Sequence, residues 1–224
     1  MKTFNPKTFF LVVPLTLGFF SLSFIANKST DELKLAKFEQ SLRTIESTVQ
    51  VDQQRQNSKK QIERIVTRFN RRMPAATKEI IVNEIIEMSV KYPNLDIALI
   101  CATITHETAR SWNPRTVSPV GAMGLMQIMP RTGKWLSKYE GIRWTSSKAI
   151  LFNPVHNIRL GSRYLSALID LYDLEGGLAA YNGGWKRAKM WLEKGKADGI
   201  LWNETRSYIP NVLKLYDQYK SSSL

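Results

Sequence analysis

The sequence predicts a mainly α-helical globular domain, set behind a membrane-length segment and a helical stalk. Three observations carry this reading. Apolar residues recur at three- and four-residue intervals almost throughout residues 73–224, the spacing of one helical face. No alternating strand or hairpin pattern appears outside the loop Val117–Ile128, which leaves room for only a small irregular β element. The residues before 73 divide into an uncharged run and a charged stretch free of proline and glycine. A chain of 224 residues suits one domain plus an appendage, and 43% apolar with 23% charged residues is a globular composition, which excludes full disorder and collagen-like structure.

Residues 1–26 are read as a membrane anchor or signal segment. Lys2 and Lys7 precede Thr8–Ala26, nineteen uncharged residues, where about twenty are needed to span a bilayer. Signal cleavage wants small residues at the last and third-last positions. Ala26 fits and Phe24 does not, and no cysteine follows for lipoprotein processing. The expectation is an uncleaved single-pass anchor through residues 8–26, with secretion after signal cleavage as the alternative. Positive charge on both sides of the run leaves its orientation open.

Residues 27–72 are read as a charged helical stalk. Leu35, Phe38, Leu42, Ile45 and Val49 form an a/d stripe about two heptads long. It breaks at Asp52 and Gln56 and partly resumes at Ile62, Ile65 and Phe69. A solvated helix is one reading; a short parallel coiled coil giving a weak homodimer through 35–49 is the other.

Residues 73–224 are read as the functional domain. Ile81, Ile85 and Met88 share one helical face, closed by Pro93. Asp96 is the expected N-cap of the next helix, with Ile97, Ile100 and Ile104 inward. Asn153-Pro154 gives a cap and first-position proline, followed by the stripe Ile158, Gly161, Leu165, Leu168 and Tyr172. Trp185–Glu193 is a short helix ended by Gly195, and Thr205 starts the last one, with Tyr208, Val212, Leu215 and Tyr219 inward.

A net charge of +13 and a pI near 9.9 point to a polyanionic neighbour: nucleic acid, anionic lipid or cell-wall polymer. The excess is spread along the chain, with eleven basic and six acidic residues in 27–72 and nineteen and thirteen in 73–224. That distribution disfavours a nucleic-acid-reading module. One cysteine, Cys101, allows no intrachain disulfide, and two histidines leave little room for zinc. No metal or cofactor is expected.

One carboxylate falls on the inward face. One further step along the stripe Ile97, Ile100, Ile104 reaches Glu107. Burial disfavours the charged form, and the negative end of a helix pushes the same way. A glutamic acid that keeps its proton near neutral pH suits a general acid. A salt bridge to Arg110, three residues on, is the structural alternative. His106-Glu107 does not extend to a zinc-protease motif, because Arg110 stands where the second histidine is needed. The loop Ser118–Pro130, SPVGAMGLMQIMP, offers two tight-turn glycines, the donors and acceptor of Gln127, and adaptable methionine surface. Ala180–Trp185, AYNGGW, adds a tyrosine whose hydroxyl needs a partner when buried.

Four segments in this order, Glu107-Thr108, Gly124–Ile128, Ala180–Asn182 and Glu204-Thr205, resemble the signatures of the SLT-type lytic transglycosylases, relatives of goose-type lysozyme in glycoside hydrolase family 23. The resemblance covers about residues 75–220 and implies a lysozyme-like fold. It implies cleavage of the β-1,4 bond between N-acetylmuramic acid and N-acetylglucosamine in peptidoglycan, with 1,6-anhydromuramic ends. It assigns catalysis to Glu107 and substrate contact to Ser118, Gln127, Met129, Tyr181, Asn182 and Glu204, with Tyr181 also supporting the glutamate. The glycan strand would then be the partner. The chain would sit in the inner membrane with residues 27–224 in the periplasm. Two departures stand out. Thr108 replaces the usual serine, and four residues instead of two separate Glu107 from Trp112-Asn113-Pro114.

Overall fold

The computed structural model describes residues 14–221, and their side chains from Glu32 onward. The helices are α1 Pro14–Phe69, α2 Ala75–Lys91, α3 Ile97–Glu107, α4 Pro130–Ser137, α5 Ser147–Leu151, α6 Pro154–Gly183, α7 Trp185–Glu193 and α8 Asn203–Ser221. The β content among the described residues is two isolated antiparallel bridges, Val117 with Met123 and Met123 with Ile128. Both lie in the loop where the sequence allowed an irregular element. Among the described residues no helix is long and apolar enough to cross a membrane. The expected anchor, Thr8–Ala26, lies outside the residues whose side chains are described.

The chain divides into two compact units between Gln53 and Gln54. In the first, Leu35, Phe38, Leu42, Ile45 and Val49 of α1 stand exposed, as on a solvated helix. The second unit starts at Gln54, nineteen residues earlier than the domain start at 73 that the sequence suggested. Its first stretch is the end of α1, where Ile62, Ile65 and Val66 are buried in the domain core. The Gln61 side chain donates to the Tyr219 carbonyl at 2.8 Å, and the Asn70 side chain to the Trp112 carbonyl at 3.3 Å. The resumed stripe after Gln56 is therefore core, not stalk.

Helix α3 is the central element. Asp96 caps it, accepting from the Leu99 amide at 2.8 Å. Every residue from Ala98 to Thr105 is buried, so the helix is enclosed on all sides, as an apolar-all-round helix must be. Thr103 and Thr105 satisfy their buried hydroxyls by donating to the carbonyls of Leu99 and Cys101. Helix α3 packs against α2 and α8, and α2 packs against α6.

Helix α6 begins with the expected cap, Asn153 accepting from the His156 amide at 3.3 Å. It is broken at Asp173, whose φ of 59° and ψ of 179° are non-helical. The sequence did not mark α4 or α5; both are too short for a periodic pattern. The last helix starts at Asn203, not at Thr205. Its inward face holds the expected Tyr208, Val212, Leu215 and Tyr219.

Candidate active site

Glu107 is the last residue of α3, half-buried where the enclosed helix comes to the surface. Its Oε1 accepts from the Tyr208 hydroxyl at 2.7 Å. Among the described residues it forms no ion pair, so the alternative pairing with Arg110 is not realised. The Glu107 carboxyl is raised to about 7. Burial is the main cause; the Tyr208 hydrogen bond pulls the other way, and the Glu204 charge pushes up again. Burial followed by the Glu107 charge raises Tyr208 well above the ordinary phenol range, so this hydroxyl is a donor and not a base. The His106 ring meets the Tyr208 ring edge-on at 4.7 Å. Burial lowers the His106 imidazole below its usual range, against the pull of Glu204 and with the push of Arg110.

The chain leaving Glu107 follows a contorted path. Ala109, Arg110 and Trp112 all have positive φ, at 46°, 67° and 48°, a region that costs an L-residue about 1–2 kcal/mol. Side chains hold it there. Thr108 donates to the Ile104 carbonyl at 2.8 Å and accepts from the Trp112 amide at 3.1 Å. The buried Trp112 indole donates to Thr105 at 3.0 Å. Thr108 therefore uses its hydroxyl on the backbone, and the two-residue excess is taken up by left-handed turns beyond Glu107.

The glycine-rich loop is clamped from below by Asn157 of α6. Its Oδ1 accepts from the Met126 amide at 2.7 Å, and its Nδ2 donates to the carbonyls of Met123 and Leu151 at 2.8 and 2.9 Å. Gly124 has φ of 84°, and a Cβ there would lie 2.2 Å from Asn157 Nδ2, so glycine is required. Gln127, at φ of 45°, donates to the carbonyls of Gly124 and Thr116 at 2.7 and 3.2 Å. Its side-chain oxygen has no protein partner among the described residues. Ser118 Oγ accepts from the Ala122 amide at 2.9 Å and tightens the turn at the loop's start. Met129, at the loop's end, is exposed.

Tyr181 departs from the role that the resemblance implied. Its hydroxyl donates to the Met126 carbonyl at 2.7 Å, and the tyrosine bonded to Glu107 is Tyr208 instead. Tyr181 remains near Glu107, whose charge raises its pKa after the larger effect of burial. Asn182 Oδ1 accepts from Thr205 at 2.7 Å, tying the AYN segment to the start of α8. Glu204 is exposed but close enough to act on both Glu107 and His106. Sequence reasoning missed Tyr208 and Asn157 as parts of this site. Tyr208 was legible only as an inward position. Asn157 carried one usable signal, a polar residue one position before the apolar stripe of α6.

A mainly helical domain with a high-pKa carboxylic acid at the exit of its central helix, and among the described residues no second carboxylate hydrogen-bonded to it, is of the lysozyme-like class. The chain belongs to the Transglycosylase SLT domain family, which it matches over residues 84–201, more than half its length. It is 40% identical over 119 residues to the soluble lytic murein transglycosylase of Escherichia coli K12, which covers 49% of this chain and 18% of that protein. It is 38% identical over 109 residues to membrane-bound lytic murein transglycosylase C of Shigella sonnei, covering 44% of this chain and 29% of that one. An inactive mutant of lytic transglycosylase Slt from Pseudomonas aeruginosa superposes with a TM-score of 0.55 at 31% identity, over 62% of this chain and 24% of that one. The 70-kDa soluble lytic transglycosylase in complex with bulgecin A gives 0.54 at 34%, over the same shares of the two chains. The chain thus spans less than a third of each of these relatives.

Proposed function

We propose that the protein is a peptidoglycan lytic transglycosylase that uses Glu107 as its single acid and base. The observation that carries this is a carboxyl raised to about 7, with Tyr208 on one oxygen and, among the described residues, no protein partner on the other. The free oxygen carries the proton. Glu107 gives it to the glycosidic oxygen, and the C1–O4 bond between N-acetylmuramic acid and N-acetylglucosamine breaks. The sugar's 2-acetamido group stabilises the charge at C1, a substrate-assisted route that needs no second carboxylate. Glu107, now ionised, removes the proton from the O6-hydroxyl of the muramic acid, and O6 closes on C1. The proton returns to Glu107, no water is consumed, and the product ends in 1,6-anhydromuramic acid. Tyr208 is the positioning residue. It fixes the carboxyl rotamer and supports the ionised state between the two transfers. Gln127, Met129, Ser118, Tyr181, Asn182 and Glu204 are assigned to the groove walls that hold the strand. Residues 8–26 are assigned to a single-pass inner-membrane anchor that keeps the remainder periplasmic, and 35–49 to a solvated helical stalk. Mass analysis of products from purified sacculi tests the reaction: anhydro ends support it, and reducing ends would make the enzyme a hydrolase.

Two expected outcomes follow from the Glu107 environment. The value of kcat/KM should fall about tenfold per pH unit above about 7, because the ionised acid cannot protonate the leaving group. A rate flat to pH 9 would remove Glu107 from the acid role. Tyr208→Phe should lower the rate about 10- to 100-fold, the worth of one hydrogen bond to a charged group. Because that bond pulls the Glu107 carboxyl down, its loss should also move the alkaline limb to higher pH. A purely structural tyrosine would leave the limb where it was.

A further inference from the structure

A cleft of about 560 Å³ opens beside the candidate site, within the usual range for ligand sites. Trp135, Tyr139 and Trp185 line it, together with Tyr164 and Tyr172 of α6. Trp135, Tyr139 and Trp185 are each about half exposed, at 53%, 55% and 50%. None of them belongs to the four segments that carry the family resemblance. Apolar residues scattered singly on a surface need no explanation, but aromatic faces gathered on one concave wall do.

The wall is organised. Trp135 meets Tyr139 edge-on at 5.3 Å, and the Arg163 guanidinium lies over the Tyr139 ring at 5.1 Å. Arg163 is itself fixed by Glu140 at 2.9 Å. Trp185 is the first residue of α7, turned out of α6 by Gly184 at φ of 86°. The cleft neighbours the loop and helix end that frame the Glu107 site. Tyr164, which lines it, packs on Tyr181 at 5.5 Å between ring centroids, and Arg131 on its rim stands two residues after Met129.

We propose that Trp135, Tyr139 and Trp185 form a stacking platform for N-acetylhexosamine rings of the glycan strand, remote from the bond broken at Glu107. The inference rests on the transglycosylase reading and extends it to how the polymer is held. A strand bound across Glu107 must continue beyond it, and this cleft adjoins the site. Pyranose rings present C–H faces that stack on exposed indoles and phenols, and hydroxyl edges that bond to donors such as Arg131 and Arg163. The stem peptide is the weaker candidate. Its carboxylates would be met mainly by Arg131, since Arg163 is held by Glu140, whereas the exposed surface of the cleft is dominated by aromatic faces. The platform makes turnover depend on strand length.

The test compares Trp135→Ala, Trp185→Ala and the double variant with wild type on short and long peptide-free glycan strands. Both tryptophans are half exposed, so melting temperatures should stay near that of wild type; Trp→Phe variants, which keep a stacking face, should retain most activity. The expected result is a loss of about tenfold or more in kcat/KM on long strands, the scale of one or two aromatic stacking contacts. Short strands that reach only the Glu107 site should be cleaved as before. In Glu107→Gln, a long chito-oligosaccharide should change the tryptophan fluorescence, and the change should vanish when Trp135 and Trp185 are also replaced. Equal losses on short and long strands would overturn the platform. So would a loss seen only with peptide-bearing strands, which would assign the cleft to the stem peptide. Neither result bears on the acid itself: the underlying reading fails separately, on full activity of Glu107→Gln or on products with reducing ends.

Discussion

Glu107→Gln should lose at least about 10²- to 10⁴-fold in the rate of sacculus digestion, the range that general acid–base catalysis supplies. Because both proton transfers are assigned to one group, the loss should lie at or beyond the upper end. The amide is nearly isosteric and still accepts from Tyr208, so glycan binding should survive. Stability should change with pH in a defined direction. The native carboxyl holds its proton up to about 7, whereas the unfolded chain releases it near 4.5. The native state therefore binds more protons between those values, and wild-type stability falls as pH rises through that window. Glutamine does not titrate. Relative to wild type, Glu107→Gln should gain about 1–3 kcal/mol between pH 4.5 and 8. Thermal melts at the two pH values read this directly. A variant that digests sacculi at near-normal rate would remove Glu107 from the mechanism.

Asn157→Ala should be the most damaging substitution outside the catalytic acid. The side chain is fully buried and makes three hydrogen bonds to backbone groups of Met126, Met123 and Leu151. Alanine leaves the buried Met126 amide without its acceptor and takes the Asn157 donor from the carbonyls of Leu151 and Met123, the latter still accepting from the Ile128 amide at 3.0 Å. Each such group costs about 1–3 kcal/mol, so a loss of about 3–5 kcal/mol is expected, at the far end of what single substitutions do. For a chain of this size the melting temperature should fall by about 10 °C. Asn157→Asp keeps the shape and the acceptor but sets an oxygen against two carbonyls in a buried position, and should be at least as damaging as alanine. A drop under about 1 kcal/mol would show that the loop holds itself through its own turns.

Much of this molecule was legible in its sequence, and the limits are physical. Helices of ten residues or more announced themselves by periodicity and caps, as with Asp96 and Asn153-Pro154. Helices α4 and α5 did not, because five to eight residues complete too few turns to define a face. Glu107 was found because an acidic residue on an apolar stripe is anomalous in one dimension. Its partner was not found, because Tyr208 fits the inward face of α8 without anomaly, and its pairing spans 101 residues. The same blindness assigned the support role to Tyr181, the nearer match to a motif. The domain boundary was misjudged for a related reason. A broken heptad stripe looks alike whether its partner is solvent or a core built from residues far along the chain.

The two grips on Met126 make helix α6 a measuring rod. Asn157, near its start, holds the Met126 amide, and Tyr181, near its end, holds the carbonyl of the same residue. The loop is thus gauged against the length and phase of one helix. One residue inserted between the two grips would advance Tyr181 by about 1.5 Å and swing it about 100° around the axis, and one jaw would close on nothing. The break at Asp173 lies between the jaws. It is the place where such an error of phase could be absorbed, and length changes in α6 should be tolerated there and nowhere else along the span.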